Sequence, residues 1–169
     1  MDALKALMKD FDPAALMPDL GTFLGKLEGC IRLVVMLAPL VLLGLGLLYL
    51  LAAPKEANYK LGYRCFWGMS SVESWRFTQR LAGGLWTVLG LILTIVMHSL
   101  TGKFQGMDLA AVTQLAVKYL LWELGCVVVS MLIINLTVVV FFDFKGNYRP
   151  FAQEFLSNIL PKRRPRKNK

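Results

Sequence analysis

Three long stretches of the chain are apolar and nearly free of charge. Residues 33–54 hold no charged side chain, residues 81–102 hold only the titratable His98, and the stretch after Glu123 runs uncharged to Phe142. A hydrocarbon core of roughly 30 Å takes about 20 helical residues. The first two windows exceed that length. The third reaches it when Tyr119–Trp122 and Glu123 lie at the interface. The pattern predicts an all-α integral membrane protein with three transmembrane helices, over residues 32–53, 81–101 and 120–142, together with short interfacial amphipathic helices. A buried core helix is the competing reading of each window, but a chain of 169 residues has nothing else with which to bury three of them.

The flanks of these windows carry the local signals. In residues 1–29, Phe11, Leu16, Leu20, Phe23, Leu24 and Leu27 recur at roughly helical spacing, interrupted by Pro13 and Pro18, which suggests an amphipathic segment on the outer face. The mixed charges there do not make a cleaved signal peptide, so the first span is expected to act as an uncleaved anchor. Ser70 followed by Glu73 fits a capping box and predicts that the second helix starts near Ser71. Gly83, Thr87, Gly90 and Thr94 then line one face, which Gly44 and Gly46 of the first helix are placed to receive. Residues 107–118 read as an interfacial lead-in to the third span, with Tyr119 and Trp122 at headgroup level. Within that span Asn135 is expected to bond a neighbouring helix. Phe151, Phe155, Leu156, Ile159 and Leu160 share a face, so residues 150–160 are expected along the inner surface, ended by Pro161.

Composition strengthens the membrane reading. The chain is 56% hydrophobic with a mean hydropathy of +0.55 and a net charge of +8. Thirteen Lys and Arg fall in residues 54–80 and 143–169, against five in residues 1–29 and 101–118. Basic loops stay in the cytoplasm. Three spans put both basic segments on one side, so the N-terminus is expected outside and the C-terminus inside. This divides the chain into an extracytoplasmic segment 1–29, a three-helix domain 30–142 with a cytoplasmic loop 54–80, and a basic cytoplasmic tail 143–169. In the tail Lys162, Arg163, Arg164, Arg166 and Lys167 are the candidates for contact with anionic lipid, each contributing about 1 kcal/mol close to the surface. Behind three spans this cluster points to lipid rather than to nucleic acid. Cys30, Cys65 and Cys126 share no metal-ligand spacing and, with a single histidine, make neither a metal site nor a disulfide framework. No cofactor is expected.

The connection between the first two spans is the most informative segment. It is rich in aromatics and arginine, which hold to an interface, and Gly62 and Gly68 permit sharp turns. The guanidinium of Arg64 suits phosphate or carboxylate, and Glu73 is its nearest candidate partner, with Asn58 and Trp75 expected to pack beside the pair. The order Asn58, Gly62-Tyr63-Arg64, Met69-Ser70, Glu73, Trp75, Phe77, Arg80 and Gly83 resembles the SdpI family of bacterial integral membrane proteins. The resemblance spans roughly residues 35–98. It departs from the family pattern at Cys65-Phe66, where Thr-Pro is usual, and at Gln79, where Asn or His is common. The motif-loop candidates are therefore Asn58, Gly62, Tyr63, Arg64, Ser70, Glu73, Trp75, Gln79 and Arg80, with a structural, ligand-binding or partner-binding role.

The resemblance implies a multi-pass protein of the bacterial plasma membrane. The family's founding member is a larger protein that gives immunity to a secreted peptide toxin and signals to a cytoplasmic repressor. The functions in play are thus a non-enzymatic, immunity-type protein that binds a hydrophobic peptide or lipid, a small subunit or assembly factor of a larger membrane complex, and an enzyme acting on lipid phosphate. The last would need a base beside the arginines, and His98 is expected at the opposite face of the membrane. The orientation has a direct test. With Cys30, Cys65 and Cys126 replaced, a single cysteine at Pro165 should escape an impermeant thiol reagent in intact cells and react after lysis. Labelling in intact cells would reverse the topology.

Overall fold

The computed structural model describes residues 20–54, 56–57 and 61–159. Among these residues four α-helices follow one another: α1 over Leu20–Leu51, α2 over Val72–Thr101, α3 over Leu109–Phe141 and α4 over Pro150–Ile159. The first three are each long and apolar enough to cross a membrane. At 1.5 Å per residue they run to roughly 45–50 Å, well beyond a 30 Å hydrocarbon core, so each tilts or projects from it. Their apolar side chains face outward as well as inward: Leu37, Leu91, Ile95, Leu121 and Leu136 are all about half exposed or more. In water that distribution would be costly, whereas in lipid it is the solvated state.

Two boundaries differ from those expected. Residues 20–29 are not a separate surface segment but the beginning of α1, because nothing between Leu20 and Ile31 breaks the helix. The interfacial lead-in 107–118 likewise becomes the first turns of α3, capped by Asp108, whose carboxylate accepts from the Ala110 N–H at 3.2 Å. The rest of the amphipathic N-terminal segment, residues 1–19, lies outside the described residues. So does the basic cluster Lys162, Arg163, Arg164, Arg166 and Lys167. α4 forms as anticipated, with Ala152 buried and Phe151 and Phe155 each half exposed.

The small-residue face of α2 packs on α1. A Cβ added to Gly90 would stand 2.5 Å from the Leu43 backbone nitrogen, and one on Gly83 would stand 2.9 Å from the Leu50 nitrogen. From the other side, Gly46 sits against the Thr87 backbone. Gly44 meets nothing within 4 Å and is not part of the seam. Thr87 and Thr94 turn their hydroxyls back onto the Gly83 and Gly90 carbonyls, both at 2.7 Å, so neither leaves a donor unsatisfied at the interface. Backbone approach of this kind replaces the hydrophobic driving force that lipid does not supply. α1 also contains Pro39, buried inside the bundle, which removes one ladder bond from the helix.

α3 closes the bundle with fewer close contacts. The Trp86 indole donates to Ser130 Oγ at 3.0 Å, joining α2 to α3 within the span. Met97, Phe104, Val112, Ala116 and Val35 make a second core at the α2–α3 turn. Gly90→Val should separate α1 from α2 and cost about 1–3 kcal/mol, the usual range for overpacking. Gly44→Ala should be nearly silent. Unfolding in mild detergent as an anionic detergent is titrated in would measure both, and equal losses would show that the seam is not the packing determinant.

Candidate functional site

Of the residues singled out in the α1–α2 connection, Gly62, Tyr63, Ser70, Trp75 and Gln79 assemble into one ordered cap over the helix ends. Gly62 has φ +122°, a conformation side chains resist, and a Cβ there would meet the Trp75 ring and the Gln79 amide within 2.8 Å. The turn at Gly62 delivers Tyr63 backbone-first to α2. There the Gln79 side-chain amide accepts from the Tyr63 N–H at 2.8 Å and donates to the Tyr63 carbonyl at 2.7 Å. Gln79 thus acts as a stand-in peptide group, and it is 1% exposed.

The Tyr63 side chain continues across the bundle. Its hydroxyl donates to Asn135 Oδ1 of α3 at 3.1 Å, and its ring meets Trp86 edge-on at 5.4 Å. Asn135 therefore bonds the loop rather than a neighbouring helix. Burial pushes the Tyr63 hydroxyl above its ordinary pKa, so it remains a donor throughout the physiological range. Trp75 is fully buried and its indole donates to the Pro54 carbonyl at 2.9 Å, fastening the end of the α1 exit to α2.

The N-terminus of α2 is capped one residue later than the sequence suggested. Ser70 closes the short 3₁₀ turn Trp67–Met69 by donating to the Trp67 carbonyl at 2.6 Å. Ser71, in extended conformation, is then the N-cap, and its capping-box partner is Ser74 rather than Glu73. Ser70 and Ser71 are chemically equivalent candidates, and only the preceding turn decides between them. Ser71 Oγ also donates to the Gly146 carbonyl at 2.7 Å, which brings the chain after α3 onto the same cap.

That second connection was missed from sequence. Asp143 Oδ1 accepts from the backbone N–H groups of Lys145 and Asn147 at 2.9 and 2.8 Å, Gly146 takes φ +75°, and Phe142 pairs with Tyr148 in a single β-bridge. These hydrogen bonds, chiefly that from Asn147, hold the Asp143 carboxyl below its usual value. The Asp-x-x-Gly-Asn order is a turn signal of a known kind. Phe77 of α2 stacks on Phe141 at 5.3 Å and meets Phe142 at the same distance, so aromatic contact joins the two connections as well.

Arg64 is engaged within the structure, and the charge of Glu73 helps hold the Tyr148 hydroxyl above its ordinary pKa, behind the larger effect of burial. Glu73 is exposed in the first turn of α2, where the helix N-terminus favours a carboxylate without any partner. Asn58 lies outside the described residues. Cys65 takes a structural role: its sulfur accepts from the Gly68 N–H at 3.3 Å, and burial raises the thiol pKa, which disfavours the thiolate. Arg76 and Arg80, one turn apart on α2, line an open cavity of about 490 Å³ with Tyr49, Leu50, Ala53, Pro54 and Gln79.

The model of the SdpI/YfhL protein family matches residues 54–142, more than half of the chain, from the cap through to the end of α3. No curated protein and no solved structure matches.

Gln79→Leu should orphan the Tyr63 N–H and carbonyl together, each at about 1–3 kcal/mol. Tyr63→Phe, which leaves Asn135 a route to water, should cost about 1 kcal/mol. Thermal unfolding in detergent checks the order; a Tyr63→Phe loss equal to that of Gln79→Leu would place the weight of the cap on Asn135.

Proposed function

The chain belongs to the SdpI/YfhL protein family, and we propose that it is a non-enzymatic protein of the bacterial plasma membrane that receives a hydrophobic peptide among its helices, in the manner of an immunity protein. In this reading the N-terminus is outside and the motif cap faces the cytoplasm.

The observation that carries the reading is an apolar groove of about 510 Å³ along the seam of α2 and α3. Leu85, Leu89, Leu121, Trp122, Val129 and Ile133 wall it, and its floor is small: Gly125, Cys126 and Ser130. A Cβ on Gly125 would meet nothing within 4 Å. Small floors of this type let a second backbone approach closely within lipid, which suits a helical peptide better than a branched acyl chain. The cap contributes rigidity at one end of the groove, since Gln79, Tyr63, Ser130 and Asn135 are committed to one another or to the backbone. The chemistry at hand supports a binding role over catalysis. The Cys65 thiol is held protonated, and His98 is 18 residues from Arg80 on the same helix, roughly 27 Å along its axis.

A second reading, a subunit of a larger membrane complex, is favoured by Phe66 and Phe144. Each is 75% exposed, and each packs on Trp67 to form an aromatic knob beside the cap. The two readings separate in one experiment. Bacteria expressing the chain, with a photo-crosslinking residue at Val129 or at Phe66, are exposed to a secreted hydrophobic peptide toxin. Protection of the cells with a peptide adduct at position 129 supports the peptide-binding reading. No protection, with a protein adduct at position 66, supports the subunit reading and sinks the first.

A further inference from the structure

Glu123 is the one acidic residue of α3, and it lies in the bundle interior rather than at the interface where its sequence position suggested. It is 2% exposed, and neither carboxylate oxygen has a hydrogen-bond partner. The Trp86–Ser130 bond and the packing of Met97 with Val112 and Ala116 fix the register of α2 against α3, which brings Glu123 level with Leu93. The Gly90–Leu43 contact then brings Pro39 of α1 to the same level.

Among the described residues no opposite charge reaches this place from the packed elements. α1 carries no charged side chain between Arg32 and the end of the helix, and α2 carries none between Arg80 and His98, which is itself exposed. On α3 the neighbouring charge is Lys118, five residues or roughly 7 Å nearer the α2–α3 turn and exposed. The other titratable neighbours are Tyr119 and Cys126, one turn to either side on the same helix. Among the described residues no group of three His, Cys, Asp or Glu converges there. A metal cation would therefore find one ligand, and a lone carboxylate in an apolar bundle would be without compensation.

We propose that Glu123 is a proton-binding site inside the membrane domain, neutral in the closed bundle, whose proton exchanges with the compartment facing the α2–α3 turn. A proton is the ligand that satisfies a carboxylate with no second group. It needs no coordination shell, and it converts an uncompensated charge into a neutral acid that apolar packing tolerates. Exchange toward the α2–α3 turn follows the shorter side of the helix, since Leu109 is 14 residues from Glu123 with the exposed Lys118 on the way, whereas Phe141 is 18 residues away.

The test uses the full chain in lipid nanodiscs. A membrane-soluble carbodiimide adds to a protonated carboxyl and, after rearrangement to the N-acylurea, leaves its whole mass on the protein. The expected result is one adduct, mapped to Glu123, whose yield falls at least tenfold as bulk pH is raised, and which Glu123→Gln abolishes. Infrared difference spectra should show the matching protonated-carboxyl band in wild type, shifted in Glu123→Asp and absent in Glu123→Gln; the Asp variant keeps the proposal testable if the Gln variant does not fold. Three results overturn it: a carboxylate band for Glu123 at every pH at which the bundle is folded, labelling that does not respond to bulk pH, or protection by sodium ions at fixed pH.

Discussion

Backbone amides at the membrane surface must be bonded to something, and here a side chain supplies what secondary structure does not. The loop entering α2 has no strand partner and no helix of its own at Tyr63, yet it is packed against α2. Gln79 answers both the N–H and the C=O of Tyr63 with one amide. Nearly every other feature of the cap depends on that pair. It fixes the Gly62 turn, places the Tyr63 ring on Trp86, and lets the hydroxyl reach Asn135. Asn at this position would be one methylene shorter. In this chain the two-point pairing is what the extra methylene of Gln79 permits.

The cap also explains why a three-helix bundle with a loosely packed third helix holds one arrangement. α1 and α2 are fastened along their length by the glycine seam, which is self-sufficient. α3 has no such seam with α2. It is tied instead at intervals, by the core of Met97, Phe104, Val112 and Ala116 at the α2–α3 turn, by Trp86–Ser130 within the span, and by the Tyr63–Asn135 and Ser71–Gly146 bonds at the cap. Between these ties and the core at the α2–α3 turn the seam of α2 and α3 is left open beside Ser130, and the groove at Gly125 is that space.

The spans, their number and the seam face were legible in sequence because each rests on a periodic or cumulative signal: uncharged length for residues 33–54, and recurring small residues for Gly83 and Gly90. The cap residues were legible as a set but not in their pairings. A carboxylate in the first turn of a helix is stabilised without a partner, and Glu73 is exposed there. Which of two adjacent serines caps α2 depends on a three-residue turn no pattern announces. Asn135 and Gly146 contact residues 72 and 75 positions away, and separations of that kind are invisible to local spacing.

Glu123 was misplaced for a related reason. A single charge at the edge of an apolar window is ordinarily counted as the interface, because ionised side chains avoid hydrocarbon. That argument assumes the charge. The helix continues 14 residues before Glu123 and 18 after it, and its interior face there runs Ala116, Glu123, Ser130, Ile134, with the acid among residues that are otherwise small or apolar. A neutral carboxylic acid is close in size and polarity to glutamine and packs where a carboxylate cannot. The position is thus consistent with the rest of the bundle only in its protonated form. The cap spends its polar groups in pairs such as Tyr63 with Gln79, whereas Glu123, the buried acid among the described residues, is left unpaired, and a group left unpaired is the one whose state the surroundings can change.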